Sequence, residues 1–196
     1  MKRFASSPAY LNGIPPTGQT TVYVTGDAGT NQVGVPHRYE VLNTGQYSGT
    51  TAIVLNGKTD THSNACVIDH QFRLMWSQVT SQSVGPSSNG VLPFTANAGG
   101  EGYFTFAAAS NAASLAGYTD WRVPDVNEVS AMIIRQAPAA KVDPTAFPAV
   151  ISAIATSSTR PDATTLHDVI ASTTTGASAA TLKTTAGARV WLVRSI

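Results

Sequence analysis

The run Ala116-Gly117-Tyr118-Thr119-Asp120-Trp121-Arg122-Val123-Pro124-Asp125-Val126-Asn127-Glu128-Val129 constrains the fold more than any other part of the chain. A Gly-Tyr turn leads into Asp-Trp-Arg, and Pro124 ends the extended piece. Asp125, with Glu128 three residues on, then opens a helix as a capping box. The run therefore encodes a strand-to-helix corner. It carries no nucleophile, metal cluster or phosphate loop, so it specifies a fold before any chemistry.

Around that corner the chain alternates short extended pieces with turns. Thr20 to Thr25, Arg38 to Leu42 and Thr51 to Leu55 read as strands, and Asn56-Gly57 reads as a hairpin turn. Cys66 to Trp76 reads as two strand halves about a turn at Asp69 to Gln71. Phe104 to Leu115 is a helix with Phe106, Ala109, Ala113 and Leu115 on its inner side, stopped near Gly117. Val126 to Gln136 is a second helix, with Val126, Val129, Met132 and Ile133 inward. Val150 to Thr156, Leu166 to Ser172 and Arg189 to Arg194 are later strands. The fold class is α+β: two helices against a mostly antiparallel sheet with strands from both ends of the chain. Ser6-Ser7-Pro8 and Ile14-Pro15-Pro16-Thr17-Gly18 exclude helix near the start, which gives an extended N-terminal arm. The expected division is an arm and lead-in over 1–64 and a main domain over 65–196.

Composition excludes several functions. Charged residues make up 12% of 196 residues and the formal net charge is +1, with no run of either sign. No footprint for nucleic acid or anionic lipid follows from that, and no apolar stretch has the length of a membrane span. Cys66 is the single cysteine, which rules out an internal disulfide and a thiolate cluster. Met1-Lys2-Arg3 is followed by too short an apolar piece for a secretory signal.

In order and spacing the chain resembles the DUF1566 family, also described from the C-terminal domain of a Legionella collagen-like adhesin. Val67-Ile68-Asp69-His70-Gln71-Phe72-Arg73-Leu74-Met75-Trp76 is similar to its V-x-D-x-x-T-G-L-M-W strand pair, and Gly117 to Val129 to its G-Y-x-D-W-R-L-P-x-x-x-E-L corner. Phe147-Pro148, Ser157-Ser158-Thr159 and Val190 to Arg194 fall where the family has F-P, S-S-T and V-R-x-V-R. Three departures stand out. Phe72-Arg73 replaces the Thr-Gly turn, Ile154-Ala155-Thr156 replaces a Tyr-Trp pair expected near a ligand-facing region, and Leu192 replaces a common cysteine.

The resemblance implies a fold like that of the C-type lectins, in which a core displays loops for recognition. With the arm and the single cysteine, it implies a non-enzymatic phage virion protein of the tail (fibre, baseplate or tip) that recognises a host-surface receptor. Alternatives are a capsid decoration or head-fibre protein and a bacterial surface adhesin domain. Expected partners are other virion proteins, a host-surface glycan or protein, and further copies of the chain as a trimer. No cofactor, nucleic acid or membrane insertion is expected.

The candidate ligand-binding residues are Ser158, Thr159, Arg160, Asp162 and His167, within a polar, loop-like stretch from Ser157 to His167. An arginine fork among hydroxyls suits hydrogen bonding to a sugar or a protein epitope. Trp76, Asp120, Trp121, Arg122, Pro124 and Glu128 are expected to be structural: the tryptophans as core, and Asp120 and Arg122 pairing with each other or satisfying corner backbone. The four histidines lack metal-site spacing. Asp27, Asp60 and Asp69 read as turn formers, and Gly99 to Gly102 as a plain turn.

Overall fold

The computed structural model describes residues 38–79, 81, 90–133, 142–143, 145–148, 153–159, 166–171, 178–182 and 188–196. The strand expected at Thr20 to Thr25 and the N-terminal arm lie outside these. Tyr39–Ile196 forms one compact unit, separate from Met1–Arg38. The lead-in expected to end at residue 64 thus supplies three strands of the main unit: β1 (Tyr39–Leu42), β2 (Thr50–Leu55) and β3 (Lys58–Ser63).

The remaining elements are β4 (Cys66–Asp69), β5 (Leu74–Ser77), α1 (Tyr103–Ala112), α2 (Val126–Met132), β6 (Ala153–Thr159), β7 (Leu166–Ala171), β8 (Ser178–Leu182) and β9 (Val193–Ser195). Helices and antiparallel ladders together make the chain α+β. The strands form three sheets where one was expected: β1-β4-β5-β9, the hairpin β2-β3, and the meander β6-β7-β8. The C-terminal strand closes the first sheet, Trp76 facing Val193 across the β5-β9 ladder.

That four-stranded sheet separates two cores. Because side chains alternate along a strand, Cys66 and Met75 join one cluster while Val67, Leu74 and Trp76 join the other. The approach to β9 does the same: Val190 and Leu192 go one way, Trp191 and Val193 the other. Val190 to Val193 is therefore buried on both faces. The first core holds Tyr103, Phe106 and Ala107 of α1, Ile53 and Leu55 of the hairpin, and Leu115, Trp121 and Val123 of the corner. The second holds Val129 and Met132 of α2, Phe147 and Ile154. Phe147 lies 5.2 Å from Trp191, 6.4 Å from Trp76 and 5.3 Å from Tyr39, centroid to centroid. All three tryptophans are buried.

Gly102 caps the start of helix α1 at a place with no room for a side chain: a Cβ would sit 2.8 Å from the Ala96 backbone. It ends at Ala112, earlier than expected. Ala109 and Ala113 pack at the edge of the core, and Leu115 reaches it from a following 3-10 turn, Leu115–Gly117. Helix α2 carries the capping box read from the sequence. Asp125 accepts from the backbone N–H of Asn127 and Glu128, and Glu128 accepts from that of Asp125. Ile133 already has extended backbone, so the helix stops short of Gln136.

The turn between β4 and β5 carries a backbone cost. Asp69 Oδ1 accepts from the N–H of Gln71 and Phe72, and Arg73 takes a positive φ of 55° at the position where the family carries glycine. A side chain in that conformation costs about 1 kcal/mol relative to glycine. Arg73→Gly is expected to stabilise the protein by about 1 kcal/mol and raise its melting temperature by roughly 2–4 °C, measured by thermal unfolding.

Candidate functional site

The corner is built from one helix residue and one strand. Asn111 of α1 clamps Trp121 through both backbone groups: Trp121 N–H donates to Asn111 Oδ1 at 2.8 Å, and Asn111 Nδ2 donates to Trp121 O at 2.9 Å. The indole Nε1 donates to Leu115 O at 2.9 Å. Arg122 then pairs with β9, its N–H donating to Val193 O and its carbonyl accepting from Val193 N–H, both at 2.9 Å. Pro124 O accepts from Ser157 N–H, which ties the corner to β6.

Asp120 and Arg122, expected to pair with each other or to satisfy corner backbone, take separate ion-pair partners. Alternation about the buried Trp121 would put both on one side, but each finds a nearer partner from another element: Arg122 in the first turn of α2, Asp120 in β9. Arg122 forms a fork with Glu128 at 2.6 and 2.7 Å. Asp120 forms one with Arg194, accepting from Nε at 2.7 Å and from Nη2 at 3.1 Å.

The Asp120 pair belongs to a larger, partly exposed cluster. The Arg194 guanidinium lies 4.0 Å from the centroid of the Tyr118 ring, and the edge of Trp121 supports that ring at 6.2 Å. The Tyr118 hydroxyl sits 2.8 Å from that of Tyr47 and accepts from Gln46 Nε2 at 3.4 Å. Gln46 and Tyr47 come from a 3-10 turn, Gly45–Tyr47, between β1 and β2. Burial, followed by the Tyr118 hydroxyl, pushes the Tyr47 phenol up to about 12. Burial likewise pushes the Cys66 thiol up to about 12, against the pull of Arg194. That thiol is not a nucleophile at neutral pH. Sequence reasoning missed Gln46 and Tyr47, which carry no motif. Tyr118 and Arg194 sit in the family-like runs, where the signal was available.

The stretch expected as a recognition loop is partly strand. Ser158 and Thr159 lie in β6 and His167 lies in β7, with Thr159 paired to His167 beyond a register shift. Hydroxyl-rich composition reads as loop, but cross-strand pairing decides. Arg160 and Asp162 lie outside the described residues. The neighbouring Ile154, Ala155 and Thr156 are fully buried, so the loss of the Tyr-Trp pair there alters core packing, not a ligand-facing surface.

Two further expectations are corrected. Asp60 is a buried strand residue of β3, 3.8 Å from the buried His62, and not a turn former. The segment Gly99 to Gly102 is more than a plain turn. Buried Glu101 accepts from Lys58 Nζ at 2.7 Å, Asn97 Nδ2 at 2.8 Å and Asn56 Nδ2 at 3.3 Å, which docks the segment on the β2-β3 hairpin tip. Among the described residues no three His, Cys, Asp or Glu side chains converge as a metal site, and no helix is long and apolar enough to cross a membrane.

Residues 65–194 match the Lcl C-terminal domain family, to which DUF1566 corresponds. The chain belongs to that family. No curated protein and no solved structure matches it. The family match thus begins after β3, while the hairpin and the Gln46-Tyr47 turn lie upstream of it and complete the cluster around the motif tyrosine.

The carboxylates of this region share an electrostatic habit. The Arg194 fork holds Asp120 below the usual carboxylate range, and Lys58 and Asn97 hold Glu101 below it. Burial pushes Glu128 up, but Arg122 and the Asp125 N–H outweigh it and leave it lowered. Each group binds a proton less readily folded than unfolded, so its stabilisation is complete above the unfolded values of 3.8 and 4.5 and fades as pH falls through the lower folded ones. Stability is expected to be flat near neutrality and to drop below about pH 4, and Glu128→Gln should flatten that acid limb in urea titrations. Asp125→Ala should cost about 1 kcal/mol through loss of the helix cap, read from the same curves.

Proposed function

We propose that the chain is a non-catalytic recognition domain, lectin-like in architecture, carried as a trimer on the tail of a virion (fibre, baseplate or tip), where it engages a receptor on the host surface. The observation that carries the reading is the partly exposed cluster of Gln46, Tyr47, Tyr118, Asp120 and Arg194, set on a corner whose backbone is pinned by Asn111 and Val193. Pinned polar and aromatic groups bind with little ordering cost. Its one acid, Asp120, is held ionised by Arg194, which suits hydrogen-bond acceptance more than proton donation. Low charge and a single buried cysteine fit a protein packed in an assembly.

A bacterial surface adhesin is the second reading, favoured by membership of the Lcl C-terminal domain family. Immunogold labelling separates the two: gold on particle tails is expected, whereas gold on the bacterial envelope alone would favour the adhesin. Fluorescently labelled chain is expected to adhere to the cells on which the particle grows. Failure to adhere would refute recognition itself.

A further inference from the structure

The cluster around Tyr118 has hydrogen-bonding capacity that its own contacts leave unused. Two phenols carry two protons and several acceptor lone pairs. The Tyr47–Tyr118 contact at 2.8 Å consumes one proton, and Gln46 Nε2 consumes one acceptor site. One phenolic proton and the Gln46 amide oxygen are left for an outside partner. Asp120 adds lone pairs beyond the two that face Arg194, and its side chain is 57% exposed. One donor is thus flanked by acceptors of two kinds on an accessible face.

The charge of the cluster is balanced. Arg194 is matched by the Asp120 carboxylate and covered on one side by the Tyr118 ring, which leaves no unpaired cation for a sulfate or carboxylate. The backbone beneath is held in an unfavourable form: Ser114 and Ala116 both have φ of 53°, although neither is glycine. Strain of this kind persists where the surroundings over-determine a conformation, and it gathers at binding sites.

We propose that Gln46, Tyr47, Tyr118 and Asp120 bind the adjacent hydroxyls of a neutral saccharide, with Arg194 orienting Tyr118 and Asp120. Adjacent sugar hydroxyls offer donors and acceptors at the spacing of one side-chain pair, and they carry no charge that needs neutralising. This assignment rests on the recognition reading and gives it a ligand class and a place. The site spans the family-matched region and the upstream turn, so it needs the whole unit from Tyr39.

The test uses the full chain and the variants Gln46→Ala, Tyr47→Phe and Tyr118→Phe, which keep the rings or alter an exposed side chain. Immobilised mannose-, galactose- and glucose-terminated oligosaccharides and their sulfated counterparts serve as probes, at low and high salt. Binding to a neutral probe is expected, insensitive to salt, and each variant should weaken it roughly five- to tenfold, the scale of a lost hydrogen bond, while still unfolding in one cooperative transition well above the assay temperature. Val54→Thr, on the exposed face of the hairpin, should bind as the unaltered chain does. Equal binding by all three variants would overturn the site while leaving recognition intact. Capture by sulfated probes alone, lost at high salt, would overturn the neutral ligand. No binding to any probe by a chain that still adheres to cells would also overturn the assignment and leave recognition standing, whereas loss of both would remove the two together.

Discussion

The structure depends on what Arg122 does with its two ends. Its backbone closes a reciprocal pair with Val193 and its side chain forks onto Glu128, the same residue whose carboxylate caps the Asp125 N–H. One residue thereby joins the C-terminal strand, the corner and the start of α2. Because β9 sits against β5, and Trp76 and Trp191 lie in the core that α2 covers, the second core is assembled around this junction. Its bidentate geometry, on a Glu128 that also caps the helix, gives the pair a direction that a single-contact surface ion pair lacks.

The other side of the corner is fixed differently. Asn111 supplies Trp121 with the donor and acceptor that a neighbouring strand would provide, and the chain between them passes through two left-handed non-glycine residues, Ser114 and Ala116, before Gly117. Tight closure against α1 sustains that strain, and its product is the placement of Tyr118 between Trp121, Arg194 and Tyr47. The cluster is therefore the partly exposed outer edge of the packed corner, held by the same contacts that hold the first core.

Legibility followed the kind of signal each element carries. The capping box, the Asn56-Gly57 turn and the strands around Cys66 and Trp76 rest on local chemistry, and the structure has them at the expected places. Strand β3 escaped because its inward residues are Asp60 and His62, so the hydrophobic alternation that marks a strand is absent. Strand β8, Ser-Ala-Ala-Thr-Leu, is too small-residued to announce itself. Ser157 to Thr159 read as loop from their hydroxyls, and only pairing with β7 makes them strand. Of the cluster, Tyr118 and Asp120 were visible within the corner motif, Arg194 in the closing strand, and Gln46 and Tyr47 nowhere.

The sequence by itself determined the corner, its helix cap, the α+β class and the family, because these depend on residues within a few positions of one another, where turn geometry and side-chain reach are set by covalent spacing. Only the tertiary structure decided that Asp120 meets Arg194 and not Arg122, that the two helices serve two cores on opposite faces of one sheet, and that Gln46 and Tyr47 reach Tyr118. Those pairings join residues about seventy positions apart. Their partners are selected by packing and strand order, which no local pattern records.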